Sequence, residues 1–522
     1  MTMTYTRVSH SSPLNDGSAT DLTTVLNAHS TGLEAAETTI ASHTTSIAAE
    51  TTRATAAEKS WKGRHAPKLA ANAPWSVMAS PPTIAAVTTT SSISGGLLYR
   101  SVSQGSTTNV EYPADFWTVL GNARPSSWGT TYPDYNFVKY AAITNTSNPT
   151  QNPTPYSIEV FHYGTQIEFF YKGVTSWHQI YVDDIPVQSS VFTVANNGSL
   201  QYQLLTFGSA DLRRIRFTSI GVPFGGIVVG ATDTLMPSDR RGPKVVVFGD
   251  SYTGGTASSG SQITGFATYA CEALGWYDHY IASGGGTGYL AGSPYTLADR
   301  VANDVIANNP DIVILAGGHN DFTYTPAQLG AAVTSLITTI KTALPNAVII
   351  VLSEIWGSSQ ERAWYAAQFD LHDAIKNAAV SAGANYIDLI TPPLNRTASS
   401  GTISNSVTAS ATTFVSTTPI TVNSWVKIGA STMADLRQII SSSGSGPFTY
   451  TVKALTNAHG AGETFVEVGQ PVIYGSGYSG ATTGYGNADV LTSSDGTHLT
   501  DGGHKVLARA VAQQITRTAI PY

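Results

Sequence analysis

Three polar side chains in this sequence have the types and the spacing that nucleophilic catalysis needs. Ser251 closely follows an apolar run of β-forming residues, 244–248, and Asp495 and His498 lie three positions apart near the C-terminus. A serine hydroxyl is a weak nucleophile until a histidine accepts its proton and a carboxylate orients that histidine. Each fragment alone is also typical of an ordinary turn, but together they predict a serine hydrolase in which the three groups meet.

A fourth polar side chain follows a second apolar run, residues 311–316, within the stretch Gly-Gly-His-Asn-Asp at 317–321. The amide of Asn320 can donate a hydrogen bond to the oxyanion that forms during acyl transfer. Catalytic groups in open α/β sheets collect at the carboxyl ends of the parallel strands. We therefore expect Asn320 and Ser251 at the same edge of one sheet.

Taken in this order, these blocks resemble the SGNH, or GDSL-like, hydrolase family. The resemblance implies that Ser251 is the nucleophile, that His498 acts first as base and then as acid, and that Asp495 orients the histidine. It also implies that the backbone N–H of Ser251 and the amide of Asn320 bind the oxyanion. The implied reaction is the hydrolysis of an ester through an acyl-enzyme.

The family's glycine block is less regular in this sequence. Residues 281–288 occupy the corresponding interval and offer several backbone N–H groups. Gly286 is favoured as the third oxyanion donor, but the asparagine that usually precedes this glycine is missing, and Gly285 stays possible. Tyr252 stands where the family usually has leucine, a difference expected to leave the chemistry untouched.

Other polar residues near these blocks have simpler structural explanations. Asp250 and Asp321 are expected to accept hydrogen bonds from loop backbone, as aspartates in turns do. His319 is expected to be a loop histidine, because no second His or Cys lies at ligand spacing for a metal. His504 is expected in the first turn of the terminal helix, after an Asp501 cap. The sequence thus predicts neither a metal nor a cofactor.

The composition argues against several classes of partner. The 522 residues carry a net charge of -7 and only 12% charged residues, which argues against binding to a nucleic-acid backbone. The sequence has no apolar run of about eighteen residues and no basic-then-apolar leader, so we expect neither a membrane span nor a secretory signal peptide. The single cysteine, Cys271, excludes an intrachain disulfide and is expected to be a buried thiol.

Residues 1–65 differ from everything after them and predict a helical, coiled-coil stalk. Apolar residues recur every seven positions and occupy one of the two core positions of each heptad. The other core position is mostly polar. The apolar set is Leu26, Leu33, Ile40 and Ile47, and the other set is His29, Ala36, His43 and Glu50. A helix this short is not stable alone in water, so we expect it to pair with copies of itself. It resembles the trimeric stalks of bacteriophage tail fibres and tailspikes. We expect a homotrimer, with a disordered tether as the alternative.

The next part of the chain is rich in β-forming residues. After a linker at 66–89, short and partly alternating segments separated by turn residues predict an antiparallel β-sandwich over 90–235. Its place before the catalytic blocks resembles the jelly-roll modules of some SGNH carbohydrate esterases. Its aromatic residues either stack on sugar rings or belong to the core. These residues include Trp117, Trp128 and Trp177.

Strands alternate with helices in residues 243–395, and the resemblance implies that residues 475–522 complete the same domain. This alternation predicts a doubly wound, parallel α/β domain, and the resemblance implies that the domain is of the SGNH type. The predicted elements are helices 264–274, 327–343 and 360–382, a strand ending at 316, and strands 347–352 and 386–390. Residues 396–474 interrupt the domain with a small β-rich insertion, which either shapes substrate access or makes an oligomer contact.

Together these features predict a multidomain α/β serine esterase. Its substrate would be an acyl ester, with acetyl as the first choice, on a host cell-surface glycan or an acylated envelope component. The resemblance of the stalk implies a place in a virion tail, beside other tail proteins and outside the host cell. Two alternatives stay open: a receptor-binding tail fibre that keeps the hydrolase fold for adhesion only, and a secreted lipase or esterase. The complete set of catalytic residue types favours the enzyme.

Overall fold

The structure is a computed structural model. It describes residues 31–32, 69–70, 73–100, 117–121, 123–127, 136–140, 154–239, 241–356, 368–394, 396–430 and 433–518. Contacts divide the chain into two units, Met1–His65 and Ala66–Tyr522. Apart from Thr31 and Gly32, the predicted stalk lies outside the described residues, so the homotrimer remains a prediction. Within the described ranges, no helix has the length and apolar character needed to cross a bilayer.

Twelve antiparallel strands form one hydrogen-bonded network in the described part of residues 83–237. They are β1 (Thr83–Ile84), β2 (Leu97–Arg100), β3 (Thr118–Gly121), β4 (Ala123–Ser127), β5 (Asn136–Tyr140), β6 (Pro155–Lys172), β7 (Ser176–Val182), β8 (Ile185–Pro186), β9 (Phe192–Val194), β10 (Leu200–Ile220), β11 (Phe224–Val229) and β12 (Thr234–Pro237). The two longest strands, β6 and β10, pair along almost their whole length, with one irregularity in register between Thr206 and Asp211.

The irregularity divides the long ladder into two halves, as a bulge that bends its strand does. In one half, Ile158 of β6 pairs with Phe217 of β10. Phe169 belongs to the other half of β6, yet its ring stacks on Phe217 with the centroids 5.4 Å apart. The two halves therefore pack face to face around one apolar core. The strands are antiparallel as predicted, while the jelly-roll connection order remains a prediction.

Five parallel strands form a second sheet. They are β13 (Val245–Gly249), β14 (His279–Ser283), β15 (Ile312–Ala316), β16 (Val348–Leu352) and β17 (Asn385–Ile387), in the spatial order β14–β13–β15–β16–β17. The accompanying helices are α1 (Phe266–Ala273), α2 (Leu297–Asp304), α3 (Pro326–Ala343), α4 (Gln368–Ser381), α5 (Ala488–Leu491) and α6 (Asp501–Arg517).

Successive residues of β13 pack on opposite faces of this parallel sheet. Val247 lies in an apolar cluster with residues of α1 and α6. Val246 lies in a separate cluster with residues of α2, α3 and α4. A strand that is covered on both faces must be apolar throughout, which explains the unbroken apolar run that the sequence displays. The prediction of a parallel α/β domain is confirmed.

The predicted elements differ from the observed ones mainly at their ends. The strand expected to reach residue 390 ends at Ile387, and the helix expected from residue 360 is described from Gln368 onwards. The sequence pattern does not reveal β14 or α2, because β14 runs directly into the glycine block and α2 has only eight residues. The one local signal for α2 is a capping box between Thr296 and Asp299.

The described part of the insertion contains seven short strands in two antiparallel sheets. They are β18 (Ser400–Thr402), β19 (Thr413–Ser416), β20 (Trp425–Ile428), β21 (Asp435–Gln438), β22 (Ser441–Ser443), β23 (Phe448–Thr451) and β24 (Thr464–Val468). An apolar cluster joins the insertion to the parallel sheet's domain, because Trp425 packs with Trp356, just after β16, and with Phe369 of α4. Lys427 adds an ion pair with Asp373 at 3.1 Å. The insertion thus lies against the region that follows β16.

A buried ion network joins the antiparallel strands to the parallel α/β domain. Arg216 of β10 and Glu272 of α1 are each 1% exposed and pair at 2.5 Å. Arg241, between β12 and β13, pairs with Glu159 of β6 at 2.6 Å and with Asp184 at 2.7 Å. Removing one partner of a buried pair leaves an uncompensated charge, so such pairs favour a single geometry.

Candidate active site

Ser251 lies just past the end of β13, where the strand order of the parallel sheet reverses. β14, the next strand in the sequence, lies on one side of β13, and β15 lies on the other. Ligand sites of open α/β sheets form in the crevice at such a point. The end of β13 can lie close to the end of β15 because Gly249 has no side chain. A Cβ at Gly249 would lie 2.2 Å from the carbonyl oxygen of Ala316.

A chain of hydrogen bonds links Ser251, His498 and Asp495. The Oγ of Ser251 lies 2.9 Å from Nε2 of His498, and Nδ1 of the same ring lies 2.6 Å from Oδ2 of Asp495. When Nδ1 carries the proton and donates it to the carboxylate, Nε2 is the nitrogen that can accept the serine proton. The structure therefore brings the three predicted side chains together at distances that suit proton transfer.

Donors around Asp495 stabilise its ionised form. Its Oδ1 accepts hydrogen bonds from the hydroxyl of Ser493 at 2.7 Å and from the backbone N–H groups of Thr497 and His498 at 2.8 and 2.9 Å. Partial burial raises the pKa of Asp495, but the hydrogen bonds from Ser493, His498 and the backbone lower it more, so it lies below its usual range. Asp495 is thus a carboxylate at neutral pH and can orient His498.

The predicted oxyanion donors follow three neighbouring strands, β13, β14 and β15. Nδ2 of Asn320 donates a hydrogen bond to the carbonyl oxygen of Thr287 at 2.8 Å, which ties Asn320 to the glycine block, residues 281–288, hereafter the glycine loop. The backbone N–H groups of Ser251, Gly285 and Gly286 have no hydrogen-bond partner in the part of the chain that the structure describes. Gly285 is half-buried and Gly286 is exposed. Both glycines therefore stay candidates for the third donor.

Asp321 fixes the segment that directly follows the glycine block, beside Asn320. Its two carboxylate oxygens accept hydrogen bonds from the backbone N–H groups of Tyr289, Leu290 and Ala291, at 2.8 to 2.9 Å. This is the backbone-acceptor role that the sequence predicts for Asp321. Because the residue next to Asn320 holds this segment, the amide and the glycine N–H groups keep a defined spacing.

Asp250 has the same role in the turn that carries Ser251. Its Oδ1 accepts a hydrogen bond from the backbone N–H of Tyr252 at 2.9 Å. Burial raises the pKa of Asp250 to about 7, and the nearby charge of Asp321 contributes to the rise. A carboxyl group beside Ser251 therefore changes its protonation near neutral pH.

Arg300 is a supporting residue that sequence analysis missed. Its guanidinium is buried, and Nη2 donates to the carbonyl oxygen of Gly249 at 2.9 Å and to the hydroxyl of Thr287 at 3.2 Å. Nη1 pairs with Asp304, one turn further along α2, at 2.8 Å. Arg300 thus connects the end of β13 to the glycine loop, and no local motif in the sequence indicates this long-range contact.

His319, predicted to be a loop histidine, begins a single 3₁₀ turn, His319–Asp321, that follows β15. Its Nδ1 donates to the carbonyl oxygen of Ile355 at 3.0 Å. Burial lowers the pKa of His319 to about 4, so the ring is neutral at pH 7. Within the described ranges, no group of three His, Cys, Asp or Glu side chains could hold a metal ion.

The prediction for the start of the last helix was wrong by one residue. Thr500, and not Asp501, is the N-cap of α6, and its hydroxyl accepts the N–H of Gly503 at 3.2 Å. Asp501 instead accepts a hydrogen bond from the backbone of the loop after β13. His504 is buried in the first turn, where Nδ1 accepts the N–H of Phe266 at 3.2 Å. Its role is therefore structural.

Residues 247–405 match the model of the GDSL-like Lipase/Acylhydrolase family. The chain contains a GDSL-like serine esterase domain. The match begins within β13 and ends in the insertion, so Asp495 and His498 lie beyond it. The comparison with curated proteins gives no match.

Solved structures similar to the chain include several carbohydrate esterases. A family two carbohydrate esterase from Clostridium thermocellum, in complex with cellohexaose, is 17% identical with a TM-score of 0.39, covering 52% of this chain and 88% of that one. A family two enzyme from Cellvibrio japonicus is 15% identical with a TM-score of 0.40, covering 56% and 88%. The acetyl xylan esterase Est2A from Butyrivibrio proteoclasticus is 15% identical with a TM-score of 0.35, covering 47% and 84%. Likenesses this low do not bear on the substrate.

Proposed function

We propose that this GDSL-like domain hydrolyses acyl esters with Ser251, His498 and Asp495 as its catalytic triad. Ser251 Oγ attacks the ester carbonyl while His498 Nε2 accepts its proton, and the imidazolium then protonates the leaving alcohol. A water molecule, deprotonated by His498 in turn, releases the acid and restores Ser251. The observation that carries this proposal is the hydrogen-bonded chain from Ser251 through His498 to Asp495 at the strand-order reversal.

The tetrahedral intermediate needs donors for its negative oxygen. We assign this role to the backbone N–H of Ser251, the amide of Asn320 and one N–H of the glycine loop, from Gly286 or Gly285. In support, these backbone N–H groups are unengaged by any described residue, and Asn320 retains a second amide hydrogen besides the one donated to Thr287. Such preorganised donors give the largest single contribution to many acyl-transfer reactions.

The proposed substrate is an acetyl ester on a host cell-surface glycan or another acylated envelope component, and the proposed setting is a trimeric virion-tail protein. The support is the arrangement of the chain: an antiparallel β-domain precedes the hydrolase domain and is joined to it through the buried Arg216–Glu272 pair. That joint would hold a surface-binding domain and the triad at a fixed separation. This assignment is a fold-level analogy, which site chemistry must test.

The tryptophans of the antiparallel domain differ in whether their rings are exposed enough to stack on a sugar. Trp117 is only 2% exposed, and its ring packs edge-on against Phe224 with the centroids 5.6 Å apart. It belongs to the core, so it does not offer a face to a sugar. Trp177 is half-buried, and Trp128 lies outside the described residues. A sugar-binding role of this domain therefore has to be tested without Trp117.

Ester hydrolysis by single-residue variants tests the triad. We expect the protein to hydrolyse p-nitrophenyl acetate and Ser251→Ala to lose this activity, because no other group forms the acyl-enzyme. Ser259→Ala is the matched control, since Ser259 is an exposed serine in the same loop. Activity of Ser251→Ala equal to that of the parent would refute the assignment.

Two further measurements separate the enzyme from an adhesion-only protein and identify the acyl group. A fluorophosphonate should label the parent at Ser251 and leave Ser251→Ala unlabelled; adhesion to host cells without any labelling would favour the binding protein. Incubation with purified host envelope should release acetate. Release of a long-chain acid instead would replace the glycan substrate with a lipid.

A further inference from the structure

Tyr252, the residue directly after the proposed nucleophile, is completely buried although it carries a hydroxyl group. That hydroxyl donates a hydrogen bond to the carbonyl oxygen of Thr497 at 2.6 Å. Thr497 immediately precedes His498 in the sequence. One side chain thus connects the turn that carries Ser251 to the loop that carries the histidine.

The carbonyl group of Thr497 and the N–H of His498 belong to the same peptide plane. In a trans peptide these two groups point in opposite directions. The carbonyl accepts from Tyr252, while the N–H donates to Oδ1 of Asp495 at 2.9 Å. The peptide is therefore held from both sides, and its orientation sets where the Cα of His498 lies.

The ring of Tyr252 restricts the same region by packing. Its centroid lies 5.5 Å from that of His498, with the planes tilted by 48°. On another side it meets the ring of His319 edge-on, with the centroids 5.0 Å apart. His319 is itself fixed through Nδ1 to the backbone of Ile355. The imidazole of His498 therefore packs against a ring that has little freedom to move.

We propose that Tyr252 is a positioning residue for the acyl-transfer reaction, in that its hydroxyl fixes the peptide that carries His498. The inference rests on the proposed function of the triad. Leucine at this position could fill part of the space but could not donate a hydrogen bond to Thr497. The whole insertion separates β17 from the histidine loop, so this bond replaces part of the constraint that a short connection would give.

The variant Tyr252→Phe removes the hydroxyl and keeps the ring. We expect kcat for p-nitrophenyl acetate to fall about ten- to a hundredfold with KM little changed, because the reacting groups lose alignment while substrate contacts remain. Tyr156→Phe is the matched control: Tyr156 is 1% exposed and also donates to a backbone carbonyl, that of Val222, but in the antiparallel domain. Its kcat should equal that of the parent.

Amide hydrogen exchange provides a second measurement that needs no substrate. Exchange in residues 493–500 should be faster in Tyr252→Phe than in the parent and unchanged in Tyr156→Phe. A fall in kcat without faster exchange, faster exchange without a fall in kcat, or neither change would each overturn the proposal. If Ser251→Ala kept full activity, the triad would be refuted, while the exchange data would still report whether Tyr252 holds the loop.

Discussion

Replacement of Asp495 by asparagine tests the triad most sharply, because it exchanges one carboxylate oxygen for an NH₂ group and removes the negative charge with almost no change in volume. Oδ1 of Asp495 accepts three hydrogen bonds, from Ser493, Thr497 and the backbone of His498. The oxygen of an asparagine would keep these three bonds, so its NH₂ group would take the place of Oδ2, 2.6 Å from Nδ1 of His498. Nδ1 would then have to accept, which places the imidazole proton on Nε2.

With a proton on Nε2, His498 donates to Ser251 and can no longer accept its proton. The loss expected for this tautomer change is about 10,000-fold in kcat, or roughly 5.5 kcal/mol of transition-state stabilisation. The thermal unfolding midpoint should fall slightly, because the three bonds to Oδ1 survive but no longer stabilise a charged carboxylate. Asp183→Asn is the matched control, since Oδ1 of Asp183 also accepts a backbone N–H, that of Arg214, in the antiparallel domain.

The assay is steady-state hydrolysis of p-nitrophenyl acetate, with calorimetry on the same samples. A kcat of Asp495→Asn within about tenfold of the parent would show that Asp495 does not set the tautomer of His498. A large fall in the unfolding midpoint would instead show that one of the three bonds to Oδ1 is lost on substitution.

Two other variants test the oxyanion site and the turn that carries Ser251. Asn320→Ala should lower kcat for the same ester about 100-fold or more, about 3 kcal/mol of barrier, and a loss below roughly tenfold would remove Asn320 from the oxyanion site. The pKa of Asp250 is about 7 in the folded chain, above its ordinary 3.8, so its contribution to stability is present below about pH 4 and is lost as the pH rises through 7. Asp250→Asn should lack this loss and be more stable than the parent at about pH 8, by on the order of 4 kcal/mol. Urea unfolding of both proteins between about pH 4 and pH 8 measures this, and identical pH dependence would contradict the reasoning.

The strands that could be predicted from sequence are those in which every residue is buried in an apolar environment. Residues 312–316 read as a buried strand because every one of them is buried between two layers of helices. Ser251 and Asn320 each follow such a run, and open α/β sheets gather strand ends at one edge. The order of the blocks was therefore enough to propose that Asn320 and Ser251 meet, without knowing the strand order.

The contacts that escaped prediction are long-range and have no local pattern. The guanidinium of Arg300 reaches the carbonyl of Gly249, and nothing in the residues around Arg300 distinguishes it from a surface arginine. Trp425 of the insertion packs with Trp356, and only the folded chain brings them together. The proposed role of Tyr252 reverses the expectation that this residue leaves the chemistry untouched. Nothing in the sequence indicates this role, because its partner, Thr497, is 245 residues away.

Contacts between distant segments must hold the C-terminal loop, which carries His498, next to Ser251. Ser251 and His498 are 247 residues apart in sequence, and closing so long a loop has an entropic cost that one hydrogen bond does not offset. The two segments are joined by further bonds in a row. The backbone N–H of Ser259 donates to Asp501 at 2.7 Å, and that of Phe266 donates to Nδ1 of His504 at 3.2 Å. Behind them, α1 and α6 pack in one apolar cluster. The helix pair stabilises the closure, and the bonds from Ser259 and Tyr252 then determine the register at which His498 meets Ser251.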